Sequence, residues 1–389
     1  MKDLIIVGNV ADNPFVVDVA HHIQLQPDYS DLISLKDFTN TEFCPRFILD
    51  EEDNENIGRK LANRQVLIVS TSIGFNTRND LAMRSFLIAR GARDNGADRV
   101  ALLEPDLFYS AQDRGPRIEH GVTEFKRTRE DFQKFDGQPF SARLYADLLK
   151  EAGVDEVITV HNHSRSVTNI FMDRLSGNFC NLEPVEVYAD YMMASDVVKS
   201  DNLVLCAPDK GACGFVKKVH KELGNSETPL LIMDKVRKGE RDVHMCVSES
   251  SPAPLEAAEG RDVVVLDDMV RTGNTMVECC ELIRSANPRK IVIFITHFFS
   301  SREIRAKLNS PSVDEIVTTN TIPHILNRDI QGRLRSKLVV LKIERWVAQR
   351  ILERMHDEPP DRSKPFYAVD MSSKNPRWRG QMGPLFSSV

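Results

Sequence analysis

Short runs of β-branched residues alternate with longer amphipathic stretches along most of the chain, and this alternation limits the folds open to it. Eight runs predict strands: Leu4–Val7, Val66–Ser70, Arg99–Leu103, Glu156–Val160, Leu203–Ala207, Leu230–Met233, Val263–Leu266 and Lys290–Ile295. Four stretches between them predict helices: Asn79–Asn95, Ser141–Glu151, Phe215–Leu223 and Thr275–Ser285. Near-continuous apolar strands that alternate with helices indicate parallel sheets covered on both faces. We therefore expect an α/β fold with mainly parallel sheets flanked by helices.

The alternation occurs twice, before and after about residue 165, in a chain of 389 residues. At roughly 150 residues a domain, this length indicates two domains. We expect an N-terminal domain over 1–165, a C-terminal domain over 166–356 and an extension over 357–389.

Three segments lack apolar periodicity. Residues 235–242 are charged and residues 248–261 are rich in Pro, Ser and Glu, so both predict loops. Residues 357–365 predict disorder at the start of the extension, with the alternative that an aromatic residue of the extension packs on the body. The candidates for that packing are Phe366, Trp378 and Phe386.

The charge balance and the cysteines restrict the surroundings of the protein. Lys and Arg number 51 against 57 Asp and Glu, so the formal net charge of -6 argues against broad nucleic-acid binding but allows a local basic pocket for a small anion. No apolar run approaches the ~20 residues that cross a bilayer, and the start predicts a first strand rather than a signal peptide. The seven cysteines are odd in number and form no CxxC pair. We expect a cytoplasmic protein that binds neither nucleic acid nor membrane.

Residues 261–283 form the most informative segment of the sequence. The strand Val263–Leu266 ends in Asp267 and Asp268, and a short turn then opens a helix at Thr275. Ligands of open α/β sheets bind at the carboxyl ends of strands, and amides and hydroxyls at a helix N-terminus bind anions. Two adjacent carboxylates suit vicinal hydroxyls or a metal ion. The pattern predicts a sugar-phosphate site; the alternative is a solvated loop whose Thr272 caps the helix.

This segment resembles the phosphoribosyl-pyrophosphate (PRPP) binding motif of phosphoribosyltransferases and of ribose-phosphate pyrophosphokinases. The resemblance to the pyrophosphokinases extends from Gly8-Asn9 to about Met355, through seven further pieces in the family's order. These are DFTNTEF (37–43), FYSAQDR (108–114), PFSARLYADLL (139–149), VITVHNHS (157–164), APDKGA (207–212), MDKVRK (233–238) and TTNTIP (318–323). The resemblance implies two domains of phosphoribosyltransferase type, which transfer diphosphate from ATP to the C1 hydroxyl of ribose 5-phosphate and give PRPP and AMP.

The resemblance also implies roles for single residues. The ribose 5-phosphate set is Asp267, Asp268, Arg271, Thr272, Gly273, Asn274 and Thr275. The ATP set is Phe38, Asn40, Glu42, Gln112, Asp113 and His163, with His163 and Asp209 at Mg²⁺ and Lys210 in the pyrophosphate loop. Family members form homo-oligomers with adenine sites at subunit interfaces. The alternatives are that Phe38 is a core residue of an ordinary strand and that His163 is a structural hydrogen-bonding residue.

Lys235 and Arg237 match the catalytic K-x-R of the family's mobile loop. In an extended segment, alternate residues project to the same side, so both cations reach one diphosphoryl group. Such transfer relies mainly on positioning, Mg²⁺ and fixed positive charge. The alternative is a solvated charged loop.

Four positions depart from the family pattern. Ala111 and His161 stand where the family has Arg and Asp, and Arg271 and Asn274 stand where it has Asp and a small residue. Arg114 or Arg117 is the candidate to replace the missing cation. Ala111 and His161 leave open a catalytically weak regulatory subunit. The shared ribose-phosphate loop leaves open a phosphoribosyltransferase that consumes PRPP.

Overall fold

The computed structural model describes residues 4–23, 29–49, 57–72, 76–123, 125–237, 243–270, 272–356 and 359–370. Of the predicted site residues, Arg271 lies outside this part of the chain. Two compact units are present: Met1–Glu183 with Ala348–Asp357, and Pro184–Val347 with Glu358–Val389. The domain boundaries predicted at 165/166 and 356/357 stay a prediction.

The first unit contains a five-stranded parallel sheet and a separate antiparallel hairpin. Its strands are β1 (Leu4–Gly8), β2 (Ile33–Asp37), β3 (Phe43–Phe47), β4 (Gln65–Val69), β5 (Arg99–Leu103), β6 (Glu156–Val160) and β7 (Phe179–Leu182). The sheet order is β1-β4-β5-β6-β7, while β2 pairs only with β3 among the described strands. The helices are α1 (Pro14–His22), α2 (Arg78–Asp94), α3 (Arg129–Lys134), α4 (Ser141–Ala152) and α5 (Arg165–Arg174).

The second unit contains an eight-stranded sheet. Its strands are β8 (Leu203–Ala207), β9 (Leu230–Arg237), β10 (Val243–Val247), β11 (Asp262–Val270), β12 (Lys290–Phe298), β13 (Glu315–Thr319), β14 (Leu338–Lys342) and β15 (Ala368–Val369). Their order is β10-β9-β8-β11-β12-β13-β14-β15, parallel from β9 to β14 with an antiparallel strand at each edge. The helices of this unit are α6 (Val185–Ala194), α7 (Cys213–Glu222), α8 (Asn274–Ser285), α9 (Arg302–Leu308) and α10 (Arg328–Gln331). The last helix, α11 (Glu344–His356), is divided between the units, because Ala348–Asp357 belongs to the first.

The central strands are buried on both faces. All nine residues of β12 are buried, and so are the first five of β11. Val265, Ile293 and Cys279 belong to one apolar core between these strands and α8. This burial explains the near-continuous apolar runs of the sequence and confirms the predicted α/β class.

All eight predicted strands and all four predicted helices are present, with ends shifted by a few residues. The predicted loop over 235–242 is wrong at its start, because β9 continues to Arg237 and pairs with β10. The continuous apolar run ends at Met233, so hydropathy gives little sign of the extra length of β9, which is paired with the antiparallel strand β10. Residues 238–242 lie outside the described residues. The predicted loop over 248–261 contains a short 3₁₀ helix at Leu255–Ala258.

The described part of the C-terminal extension packs on the second unit. Phe366 is buried, and the ring centroids of Tyr367 and Tyr191 lie 5.3 Å apart. β15 pairs with the end of β14, and the backbone amide of Asp370 donates to the carbonyl of Val340. This is the packing alternative rather than disorder for residues 359–370. Trp378 and Phe386 lie outside the described residues.

Membrane-crossing helices and disulfide bonds were both considered in the sequence. None of the helices formed by the described residues combines the length and apolar composition needed to cross a bilayer. All seven cysteines are free.

Candidate active site

The order of strands in the second sheet locates a crevice. From β8 the chain continues to β9 on one side, whereas the strands after β11 extend on the other side. The strand order therefore reverses between β8 and β11, which are parallel neighbours. Crevices at such reversals, at the carboxyl ends of the strands, are the usual ligand sites of open α/β sheets. The loop after β8 carries Asp209, and the end of β11 carries Asp267.

Asp267 and Asp268 bring negative charge into this crevice. Both are half-buried and belong to β11 itself rather than to the turn after it. The amide of Asp268 donates to Oδ1 of Asp267 at 2.9 Å. Burial raises the pKa of Asp267 well above its usual range, and the carboxylates of Asp268 and Asp209 raise it further. The three carboxylates are therefore close enough to repel one another, and the crevice favours a hydroxyl or cationic ligand.

The turn after β11 opens α8 with free backbone donors. Gly273 is the N-cap residue of α8, with a φ of 82° that favours glycine. Because Gly273 has no side chain to cap the helix, the first amides of α8 are left for another acceptor, such as a phosphate. The alternative in which Thr272 caps this helix is wrong. Thr272 and Asn274 are exposed beside these amides.

Lys235 reaches this turn from β9. Its ammonium donates to the hydroxyl of Thr275 at 2.5 Å, across β8 from its own strand. The side chain is exposed, so it is open to an anion. The structure thus brings Lys235 next to Thr275, a contact that the sequence did not predict. Arg237 is the last residue of β9.

The loop after β8 is organised by its own aspartate. The carboxylate of Asp209 accepts from the backbone amide of Ala212 at 3.1 Å, which shapes the turn into α7. The ammonium of Lys210 lies 2.5 Å from a carboxylate oxygen of Asp234. This hydrogen-bonded pair raises the pKa of Lys210 and lowers that of Asp234. Asp234 was not expected from the sequence; its place directly before Lys235, at the end of an apolar run, is the only signal.

In the first unit, the predicted adenine residues lie at the tip of the β2–β3 hairpin. Phe38, Asn40 and Glu42 are exposed, with 44% of the Phe38 side chain accessible, so the core-residue alternative for Phe38 is wrong. The amide of Phe38 donates to the carbonyl of Glu42 at 2.8 Å, and the amide of Glu42 donates to the Asn40 side chain at 3.2 Å. The tip therefore has defined hydrogen bonds and an exposed aromatic ring.

Asp113 joins the two loops that carry the other predicted ATP residues. Its carboxylate accepts from the hydroxyl of Ser164 at 2.6 Å, and its carbonyl accepts from Ser166 at 2.7 Å. Ser164 directly follows His163 and also caps α5. Asp113 thus fixes the loop after β5 to the loop after β6, while Gln112 and His163 are exposed. Sequence patterns carried no signal for the role of Ser164.

Arg114 is engaged rather than free to replace the arginine absent at Ala111. Its guanidinium pairs with Asp131 at 3.4 Å and with Asp113 at 3.7 Å. It also lies 5.0 Å from the ring centroid of Phe135. Arg117 is 72% exposed and is the more available cation.

A buried carboxylate lies at the same end of the first sheet. Glu104 is fully buried, and it accepts from the amide of Phe108 at 2.8 Å and from the hydroxyl of Tyr145 at 3.1 Å. Burial raises its pKa to about 8, and the nearby charge of Arg78 opposes this rise. Glu104 is therefore protonated at neutral pH and holds the start of the loop that leads to Gln112.

The raised pKa of Glu104 predicts that the stability of the fold depends on pH. The unfolded pKa is 4.5 and the folded one about 8, so the stabilisation is present below pH 4.5 and is lost as the pH rises through 8. We expect Glu104→Gln, which is uncharged and keeps the acceptor for Phe108, to flatten the fall of Tm with pH. Thermal unfolding from about pH 5 to about pH 9 measures this. Glu151→Gln, at an exposed position of α4, is the control, and parallel curves for Glu104→Gln and the unmodified chain would contradict the assignment.

The carboxylates of the second unit suit Mg²⁺ better than His163 does. Mg²⁺ takes oxygen ligands and is commonly held by one or two carboxylates together with substrate phosphates. Asp209, Asp267 and Asp268 supply such oxygens, and their mutual repulsion is relieved by a divalent cation. Within the described ranges, no group of three or more His, Cys, Asp or Glu side chains forms a complete site. His163 and Asp209 belong to different compact units, and their predicted pairing at a metal stays a prediction.

Known proteins are similar to this chain in sequence. The phosphoribosyl transferase domain family matches residues 192–326, which include Asp209, Lys235 and the turn at Gly273. A ribose-phosphate pyrophosphokinase of Corynebacterium efficiens is 30% identical over 254 residues, which cover 65% of this chain and 73% of that protein. The chain belongs to the ribose-phosphate pyrophosphokinase family.

More distant members of the pyrophosphokinase family match over a larger share of the chain. The ribose-phosphate pyrophosphokinase of Wolinella succinogenes is 27% identical over 314 residues, which cover 79% of this chain and 86% of that protein. Ribose-phosphate pyrophosphokinase 2 of Saccharomyces cerevisiae is 24% identical over 284 residues, which cover 72% of this chain and 78% of that protein. The crystal structure of phosphoribosylpyrophosphate synthetase from Mycobacterium smegmatis superposes with a TM-score of 0.69 at 21% identity, covering 92% of this chain and 100% of that one. At this identity the superposition shows the shared fold.

Proposed function

We propose that this chain is a Mg²⁺-dependent ribose-phosphate pyrophosphokinase that transfers diphosphate from ATP to the C1 hydroxyl of ribose 5-phosphate. The observation that carries this proposal is the hydrogen bond from Lys235 to Thr275, which joins the strand of the K-x-R pair to the turn of the sugar-phosphate motif. A phosphoribosyltransferase needs the turn alone. A diphosphoryl transferase needs fixed cations beside it, because negative charge develops on the transferred group.

The acceptor binds at the turn and at the end of β11. The first amides of α8 and the hydroxyls of Thr272 and Thr275 bind the 5-phosphate. The carboxylates of Asp267 and Asp268 accept hydrogen bonds from the ribose hydroxyls and orient the C1 hydroxyl. Asn274 and Arg271 complete the set assigned to ribose 5-phosphate.

The diphosphoryl group binds between the Asp209 loop and the cations. The C1 oxygen forms a bond to the β-phosphorus, the bond from that phosphorus to the α,β-bridging oxygen breaks, and the hydroxyl proton is released to solvent. AMP leaves with the bridging oxygen, and PRPP carries the diphosphate. Asp209, Asp267 and Asp268 would hold Mg²⁺, which would supply charge neutralisation and orientation for the phosphates. Lys235 and Arg237 stabilise the charge of the group in transfer, and Lys210 holds the pyrophosphate side.

The nucleotide set belongs to the first unit. Phe38 stacks on adenine, and Asn40 and Glu42 bond to its edge. Gln112 and His163 belong to the same ATP set, and Asp113 positions their loops. By resemblance to the family, the active form is a homo-oligomer with ATP sites at subunit interfaces, located in the cytoplasm and independent of nucleic acid and membrane.

One observation favours a second candidate, a catalytically weak regulatory subunit. Ala111 has no guanidinium for the triphosphate, and Arg114 is already held by Asp113, Asp131 and Phe135. Weak ATP binding follows if Arg117 does not take over this contact.

The test mixes purified protein with ATP, ribose 5-phosphate and MgCl₂ and measures AMP and PRPP. We expect equal amounts of both products, dependent on ribose 5-phosphate and abolished by EDTA. Absence of products from the chain alone, with stimulation of an active homologue that co-purifies with it, would instead support the regulatory subunit. Release of pyrophosphate from PRPP and a nucleobase would support a phosphoribosyltransferase.

A further inference from the structure

The β2–β3 hairpin lies along α2. A two-stranded hairpin is marginally stable by itself, so its position depends on what it packs against. Phe47, at the base of the hairpin, is buried, and a Cβ added at Gly91 of α2 would lie 3.9 Å from its ring. Phe43, at the tip end, contacts Arg84 of α2. Arg84 and Gly91 are seven residues, about two helical turns, apart and therefore lie on one face of α2.

Arg84 holds the last pair of residues before the hairpin tip. Its Nη2 lies 2.6 Å from Oδ1 and 2.7 Å from Oδ2 of Asp37. Its guanidinium carbon lies 4.1 Å from the ring centroid of Phe43. Asp37 and Phe43 face each other in the β2–β3 ladder, so one guanidinium contacts both partners of that rung. Only 15% of the Arg84 side chain is exposed, which indicates a fixed rather than a solvated cation.

The rung that Arg84 holds directly flanks the proposed adenine residues. Phe38 follows Asp37 and Glu42 precedes Phe43, and the amide of Phe38 bonds to the carbonyl of Glu42. The tip side chains are exposed, and the ring of Phe38 also has the ammonium of Lys36, on β2, 5.1 Å from its centroid. The rung below the tip fixes the backbone from which these side chains extend. Movement of that rung therefore moves the ring of Phe38.

We propose that Arg84 is a positioning residue for nucleotide recognition, which fixes the Asp37–Phe43 rung so that Phe38, Asn40 and Glu42 are presented together to the base. This inference rests on the proposed function, because it assumes that the hairpin tip binds adenine. Arginine is suited to this role because its planar guanidinium forms two hydrogen bonds to a carboxylate and stacks on an aromatic ring at once. Lysine carries the same charge but cannot do both.

The kinetic test compares Arg84→Met and Arg84→Lys with the unmodified chain. We expect both variants to raise KM for ATP about tenfold, with kcat and KM for ribose 5-phosphate changed less than about twofold. Asp37→Asn, which weakens the ion pair but leaves the stacking on Phe43, is expected to give a smaller rise. The control is Arg90→Met on the same helix, because Arg90 is 54% exposed and pairs only with Asp94 among the described residues. An unchanged KM for ATP, or an equal rise in both KM values, would overturn the proposal.

Hydrogen exchange separates this inference from the proposed function. The backbone amides of Phe38 and Thr41 are hydrogen-bonded within the tip, and we expect Arg84→Met to speed their exchange about tenfold while Arg90→Met does not. If the unmodified chain binds ATP by calorimetry but forms no PRPP, the proposed function fails, and a loss of ATP affinity in Arg84→Met still supports the role of Arg84. Unchanged tip exchange, or an unmodified chain that does not bind ATP, would refute it.

Discussion

Replacement of Lys235 by alanine is expected to lower kcat for PRPP formation by about 10²–10³-fold, with KM for ribose 5-phosphate changed less than about threefold. The ammonium of Lys235 donates to Thr275 at 2.5 Å and is open to solvent. It is therefore near enough to the sugar-phosphate turn to meet a diphosphoryl group that arrives there. An interaction that strengthens as charge develops in the transition state lowers kcat when it is removed.

Lys217→Ala is the matched control for this prediction. Lys217 is an exposed lysine of α7 in the same unit, and its removal changes the net charge by the same amount. Steady-state rates of AMP formation at saturating ATP compare the two variants. A raised KM at an unchanged kcat would show that Lys235 acts only in ground-state binding. Equal rates of AMP formation in Lys235→Ala and Lys217→Ala would show that Lys235 takes no part in the reaction.

Asp267→Asn is expected to lower kcat/KM for ribose 5-phosphate by about 10²-fold or more and, at the same time, to make the ligand-free protein more stable. The first effect follows from the loss of a charged acceptor for the ribose hydroxyls. The second follows from the raised pKa of Asp267, which burial and the neighbouring carboxylates of Asp268 and Asp209 produce. For an ordinary acidic residue on the surface, we would expect neither the loss of kcat/KM nor the gain in stability.

The sign of the stability effect is set by proton binding. The pKa of Asp267 in the folded chain lies well above the ordinary 3.8, so its stabilisation is complete below pH 3.8 and is lost as the pH rises. At neutral pH this raised pKa therefore lowers the stability of the fold, and asparagine, which does not titrate, removes the cost. We expect Tm at neutral pH to rise by about 2 °C or more in Asp267→Asn, with the difference vanishing near about pH 4.

Thermal shift measurements with and without ribose 5-phosphate test both effects of Asp267. Ligand raises Tm of the unmodified chain by mass action, and we expect no such rise in Asp267→Asn. Asp201→Asn, at an exposed position of the same unit, is the control. A lower Tm in Asp267→Asn would show that the carboxylate is held by stabilising contacts and would contradict the expected repulsion from Asp268 and Asp209.

The regular part of the fold was open to prediction because burial on both faces leaves continuous apolar runs. β12 shows this directly: its residues are buried throughout, and the run Lys290–Ile295 marks it in the sequence. The hairpin strands β2 and β3 were not among the predicted strands, because exposed and half-buried residues interrupt their apolar pattern. The extension of β9 through Lys235 was missed for a related reason. Its backbone is paired with β10, while its side chains follow no apolar pattern.

The site was predictable where one segment carries it and unpredictable where contacts join distant segments. Asp267, Gly273 and Thr275 lie within nine residues of each other, so their pattern is visible in the sequence. The bond from Lys235 to Thr275 spans 40 positions, and that from Ser164 to Asp113 spans 51. These contacts depend on strand order and loop packing, which local patterns do not encode.

The pairing of β15 with β14 also has a consequence for how the protein is made. β14 is buried over Leu338–Leu341, and an open strand of this kind is a template for pairing with other chains. The residues that cover its end, Ala368 and Val369, come later in the chain, so a ribosome completes β14 before its cover exists. During that interval the edge of β14 is unpaired and open to pairing with another chain. We therefore expect shortened products that stop before residue 359 to aggregate more readily than the full chain.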